Sequence, residues 1–219
     1  MTALESKPYR VRIRGPVACF TRPELKAERV SYEVMTPSAA RGALEAVFWK
    51  PAIRWRIHEI AVLAPIAWIS FRRNEVNDHA MRGKTNYMAD EDRAQRNTVA
   101  LRDVDYAVKA SFALVPDKVG PEDNLRKFEE MFERRLEKGQ CFHRPYLGCR
   151  EFVADVLPAP ESLQPVDSQV DRPLGLMLYD FDYRTLDAIR PLFFQARLQH
   201  GIVQVPSWEE VLAENGSTP

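Results

Sequence analysis

Residues 36 to 51, TPSAARGALEAVFWKP, constrain the fold more than any other stretch, because they encode a helix whose ends are chemically marked. Thr36 can accept a hydrogen bond from the first free amides, Pro37 suits a first turn that wastes no donor, and Pro51 stops the run. Ala40, Ala43, Leu44, Val47 and Phe48 recur at three- and four-residue spacing, while Arg41, Glu45 and Lys50 fall elsewhere. One face of this helix therefore packs on a sheet. The neighbouring segments have the strand period. Tyr9, Val11 and Ile13 alternate with Arg10, Arg12 and Arg14, and after Pro51 the residues Ile53, Trp55 and Ile57 alternate with Arg54, Arg56 and His58.

Strand, helix, strand is how a βαβ unit of a ferredoxin-like or RNA-recognition fold begins. Gly15-Pro16 ends or bends the first strand, and residues 17 to 35 read as a long irregular connection. Residues 72 to 102 have few large apolar side chains and no clean period, which predicts an exposed insertion or hairpin arm. Val104, Tyr106 and Val108 then alternate with Asp105, Ala107 and Lys109, and Phe112 and Leu114 keep the parity of a third core strand. Gly120-Pro121 opens a second helix with an apolar stripe of Leu125, Phe128, Phe132 and Leu136, Glu122 and Asp123 near its start and Gly139 at its end. An extended segment over residues 151 to 157 completes a β-α-β, β-α-β order. The expected class is α+β: a ferredoxin-like, RNA-recognition (RAMP-type) domain over 1–156 with a basic arm at about 72–102, a Pro-rich linker over 157–173, and a small antiparallel β-rich C-terminal domain over 174–219.

The charge balance narrows the function. Lys plus Arg and Asp plus Glu each total 31, so any nucleic-acid surface is a local patch on a neutral chain. Cys19, Cys141 and Cys149 lack a CxxC pair and no apolar signal segment opens the sequence, which predicts a reduced, cytoplasmic protein. His58, His79, His143 and His200 stand too far apart for a helix or turn to gather them on a metal, so no metal and no cofactor is expected and each histidine reads as structural or solvated. No apolar run approaches the roughly 20 residues that span a bilayer.

Candidate phosphate contacts lie in three places. Arg10, Arg12 and Arg14 with Arg54 and Arg56 form either a phosphate ladder or a solvated face of cross-strand ion pairs. In the arm, Arg72, Arg73, Arg82, Lys84, Arg93 and Arg96 are interleaved with Asn74, Asn77, Asn86 and Tyr87, a mixture of phosphate donors, base-edge donors and a stacking ring. Asp90, Glu91 and Asp92 can instead neutralise it. After the second helix, HRPYLGCREF brings Arg144 and Arg150 beside Gly148, whose freedom permits a close backbone approach to a ligand, or forms a turn paired through Glu151 or Asp155. His143, next to Arg144, is a candidate neutral base.

Four separated motifs, FWKP (48–51), LRDVDYAVKA (101–110), RPYLGCREF (144–152) and ARLQHGIVQVP (196–206), resemble the Cas-five family of CRISPR-associated proteins in its type I-C, subtype d branch. The resemblance implies an endoribonuclease that cuts precursor CRISPR RNA at the repeat without a metal and stays on the 5′ handle of the crRNA. Its implied partners are the backbone and large subunits of the Cascade surveillance complex. It also implies 2′-hydroxyl attack with a cyclic phosphate product, served by a tyrosine at the end of the first helix, a lysine in the strand after the insertion and a neighbouring histidine. Lys109 matches the lysine; Phe48 stands at the tyrosine position, and Ala110 or Ser111 where the histidine is expected. A phenyl ring exchanges no proton, which leaves Tyr106, Tyr146 and His143 as candidate proton-transfer groups. Two alternatives stand beside this reading: a non-catalytic subunit gripping the handle, and a general module binding RNA or duplex DNA through phosphates.

Overall fold

Thr36 caps the first helix as its chemistry requires: its Oγ1 accepts from the Ala39 amide at 3.3 Å, and Pro37 occupies the first turn. In the computed structural model, which describes residues 4–25, 27–76, 93–166, 171–184 and 189–216, this helix α1 (Pro37–Val47) follows strand β1 (Tyr9–Ala18) and a short strand β2 (Arg29–Val30). Phe48 is already extended, so the helix ends at Val47, four residues before Pro51. Strands β3 (Ile53–Val62), β4 (Ala67–Val76) and β5 (Arg93–Leu114) come next, then helix α2 (Leu125–Glu137). The chain continues through β6 (Tyr146–Leu147), β7 (Cys149–Val153), β8 (Asp155–Pro158), β9 (Arg172–Asp182), β10 (Arg190–Gln199), β11 (Ile202–Gln204) and α3 (Trp208–Asn215).

Among the described residues, nine strands form one sheet in the order β8-β1-β5-β3-β11-β10-β9, with β2 and β4 pairing the other half of β5. The pairings along this path are antiparallel. The protein is thus α+β. At 22 residues, β5 does two jobs: its C-terminal half lies between β1 and β3, and its N-terminal half pairs β4 to make the hairpin arm. Arg82 and Lys84 lie outside the described residues.

Alternation sorts the central strands into two faces. Tyr9, Val11, Ile13, Trp55, Ile57, Tyr106, Val108, Ala110 and Phe112 point to the helices and are buried with Leu44, Phe48, Phe128 and Phe132 in one core. Trp55 packs edge-on against Phe112 and Phe132, with ring centroids 5.1 and 4.8 Å apart.

Several sequence expectations change here. β1 runs through Gly15-Pro16 to Ala18. α2 begins at Leu125 with Asn124 as its cap, whose side chain accepts from the Lys127 amide at 2.9 Å, so Glu122 and Asp123 precede the helix. The segment expected to be a linker starts inside β8, and the C-terminal strands extend the existing sheet through the β11–β3 pairing. Leu174, Met177, Leu192 and Val203 are buried in the same core as the strands before them. Helix α3, absent from the sequence reading, is held by a capping box between Ser207 and Glu210.

Candidate active site on the outer face of the sheet

The face of β1, β3 and β5 turned away from the helices carries Arg10, Arg12 and Arg14, then Lys109 and Ser111, then Arg54, Arg56 and Glu59. Register decides which of these charges meet. Arg12 clamps Asp105 through Nε at 2.9 and 3.1 Å, and Arg14 lies 3.6 Å from Asp155. Arg10 donates to the carbonyls of Pro160 and Leu163 and so pins residues 160–163 across the sheet. The arginine ladder is therefore largely an ion-paired face, the alternative reading of that alternation, and Arg12 and Arg14 have carboxylates where phosphates were expected.

Lys109 pairs in register with Arg10 on one side and Glu59 on the other, and its Nζ is 3.2 Å from Glu59. Its side chain is 46% exposed, at the wall of a cleft of about 410 Å³ floored by Ala61 and Ala107 and bordered by Arg10 and Gln164. A phosphate entering this cleft can displace the half-exposed Glu59 pair at little cost.

One position beyond, β3 carries a bulge between Ile57 and Glu59. The extra residue, His58, projects outward, as bulges commonly re-aim side chains. Its Nε2 lies 2.6 Å from Ser111 Oγ, and Ser111 donates in turn to Glu5, which also accepts from Arg56 at 3.1 Å. Partial burial lowers the His58 pKa below its ordinary 6.5, with Lys109 and Arg56 adding to the effect and Glu5 and Glu59 opposing it. His58 was read from sequence as structural or solvated; the signal that finds it is strand register, which a single sequence does not print.

The other candidates lie elsewhere. Phe48 is fully buried on the helix side, 6.1 Å from Phe128 and 6.3 Å from Phe112, with the Arg135 guanidinium 5.4 Å over its ring. Tyr106 is buried on the same side, which pushes its hydroxyl pKa well up, so it is no proton-transfer group for a ligand on the outer face. His143 and Tyr146 do come together, with rings 6.4 Å apart, but beside the end of α1, where the His143 amide donates to Ala46. Gly148 has φ of +83° and a Cβ there would overlap the Cys19 carbonyl, so the close approach it permits is to the chain's own backbone rather than to a ligand. Arg144 and Arg150 are exposed and have no ion-pair partner among the described residues. In the arm, Arg72 donates to Gln95 at 3.2 Å and Arg73 pairs with Glu151 and Glu75. Among the described residues, no group of three or more His, Cys, Asp or Glu side chains could hold a metal ion, and no helix is long and apolar enough to cross a membrane.

The profile of the family described as "CRISPR-associated protein (Cas_Cas5)", in its Cas5d form, matches residues 9–206. The chain belongs to the Cas5d family. It is 44% identical over 222 residues to the "CRISPR pre-crRNA endoribonuclease Cas5d" of Mannheimia succiniciproducens, covering 92% of this chain and 97% of that one. The protein of the same description from Thermus thermophilus is 41% identical over 215 residues, covering 90% and 91%. Among solved structures, one described as a CRISPR-associated protein superposes with a TM-score of 0.74 at 23% identity over 96% of this chain and 97% of that one. A chain of a "CRISPR RNA-guided surveillance complex" gives 0.52 at 13% identity over 95% and 98%. At these identities the two structures support the fold alone.

Proposed function

We propose that this protein is an endoribonuclease that cuts CRISPR precursor RNA at the repeat and stays on the 5′ handle as a subunit of a type I-C Cascade in the cytoplasm. The observation that carries the reading is the position of Lys109. The residue that the family resemblance names for catalysis stands half exposed at the wall of an outer-face cleft, where, by exchanging its Glu59 partner for a phosphate, it can stabilise the negative charge that builds during strand cleavage. Two relatives that match nine-tenths of the chain and bear the name of this activity support it. We further infer that β1, α1, β3, β5, α2 and β8 form a ferredoxin-like unit; the order β8-β1-β5-β3 with both helices on one face supports this. The strands after Arg172 are then an extension that widens the same sheet. Arg144 and Arg150, exposed and without an ion-pair partner among the described residues, are the best-placed handle contacts outside the cleft, and Arg72, Arg73, Arg82 and Lys84 of the arm add to the RNA surface.

The competing reading is a non-catalytic subunit that grips the handle. It is favoured by Phe48, which offers no proton and does not reach the outer face. Incubating the purified protein with its own locus's repeat RNA in EDTA, beside Lys109→Ala, separates the two. Cleavage at one position leaving a 5′-hydroxyl, lost in the variant, supports the nuclease; tight binding with an intact repeat supports the handle-gripping subunit.

A further inference from the structure

Resting on that nuclease reading, we propose that His58 is the proton-transfer residue of the cleavage reaction, with Ser111 and Glu5 as positioning residues. The hydrogen bonds determine which nitrogen acts. Ser111 has one hydroxyl proton and spends it on the Glu5 carboxylate, so toward His58 it can only accept. Neutral His58 must then carry its proton on Nε2 and donate to Ser111 at 2.6 Å, which leaves the lone pair on Nδ1. Nδ1 has no hydrogen-bond partner among the described residues. The charged groups facing the ring are Glu5 from the N-terminal segment, Lys109 from β5, and Arg56 and Glu59 from β3. Burial and the two cations keep the imidazole neutral near pH 7, and Glu5 Oε1, 3.8 Å from Nε2, steadies the imidazolium once it forms.

The chemistry balances without a co-reactant. Nδ1 removes the proton of the ribose 2′-hydroxyl, the 2′-oxygen forms a bond to the adjacent phosphorus, and the bond from phosphorus to the 5′-oxygen breaks. The departing 5′-oxygen takes a proton from solvent, the imidazolium returns one, and the products are a cyclic phosphate and a 5′-hydroxyl. Lys109 and His58 flank Glu59 and Ser111 on adjacent strands, so the cation for the phosphate and the base for the hydroxyl lie on one face.

The test is single-turnover cleavage of the protein's own repeat RNA, with affinity measured in parallel, by wild type, His58→Ala, His58→Gln and Ser111→Ala between pH 5 and pH 8. Wild-type cleavage should fall as pH drops below the ordinary histidine value of 6.5. His58→Ala should cut about 10²–10⁴-fold more slowly with affinity unchanged, and added imidazole should restore part of the rate. His58→Gln can still donate to Ser111 but cannot take up a proton, so it should be as slow as His58→Ala. Ser111→Ala should lower the rate with KM unchanged, and should keep the acid limb. A wild-type rate in His58→Ala, or slowing that imidazole does not relieve and that leaves the pH profile intact, overturns the assignment while the nuclease reading stands. An uncut repeat with the wild-type protein overturns the nuclease reading itself, and this inference with it.

Discussion

The two faces of the β1, β5, β3 core are built from alternate residues of the same strands and were unequally readable. On the helix side, Ile13, Trp55 and Phe112 need only be apolar and of fitting size, and every second residue reports this directly. On the outer side, Arg12 and Lys109 are both cations at outward positions, yet Arg12 is clamped by Asp105 and Lys109 borders a cleft. Arg12 reaches diagonally to Asp105, which lies opposite Arg14, while Lys109 has Arg10 and Glu59 opposite it, and these neighbours are fixed by pairing between segments some fifty to a hundred positions apart. Period assigns a side chain to a face, and register assigns it a partner.

Breaking the inner face should cost most. Phe132→Ala, which empties a fully buried site between Trp55, Tyr9 and Phe48, should destabilise by about 3–5 kcal/mol in urea unfolding. A loss below about 1 kcal/mol would mean that this face is not closely packed. On the outer face, Lys109→Ala should leave the unfolding midpoint in place while slowing repeat cleavage by about 10²–10³-fold, the cost of removing one charge-stabilising donor. Equal loss of stability and activity would collapse the distinction between the faces.

Phe48→Tyr sharpens the comparison further. If Phe48 shared a site with Lys109, the new hydroxyl would accelerate cleavage. Buried among Phe112, Phe128 and Phe132, it should instead cost about 1–3 kcal/mol and leave the rate per folded molecule unchanged. The arginines offer the same contrast in binding. Arg144→Ala with Arg150→Ala should weaken repeat-RNA affinity and reduce the salt slope by about 1 for each lost phosphate contact, whereas Arg12→Ala should change affinity by less than about 1 kcal/mol. At the start of α1, Thr36→Ala should cost about 1 kcal/mol in thermal unfolding through loss of the helix cap.

Much of the scaffold was legible because its signals are local. The Thr36-Pro37 start and the stripe from Ala40 to Val47 specify α1 within a few residues. α2 was legible in its stripe but not in its start, since Glu122 and Asp123 suit a helix N-terminus as well as the true cap Asn124 does. The short capping box that opens α3 went unread beside the stronger strand pattern before it. The candidate site was legible only in part. Lys109 came from motif resemblance, but His58 looked like any outward strand residue: its partners Ser111 and Glu5 are 53 residues away in both directions, and a bulge, not the alternation, aims it. The C-terminal strands looked separate because nothing local announces that Ile202–Gln204 pairs β3.

We propose that RNA reacts on the outer face of the sheet. The most direct test is photo-crosslinking of repeat RNA carrying a photoreactive base next to the scissile phosphate and a 2′-deoxy sugar that blocks cleavage, followed by peptide mapping. Crosslinks are expected to peptides containing His58, Lys109 or Ser111 of β3 and β5. Crosslinks confined to His143 and Tyr146, beside the end of α1, would contradict it.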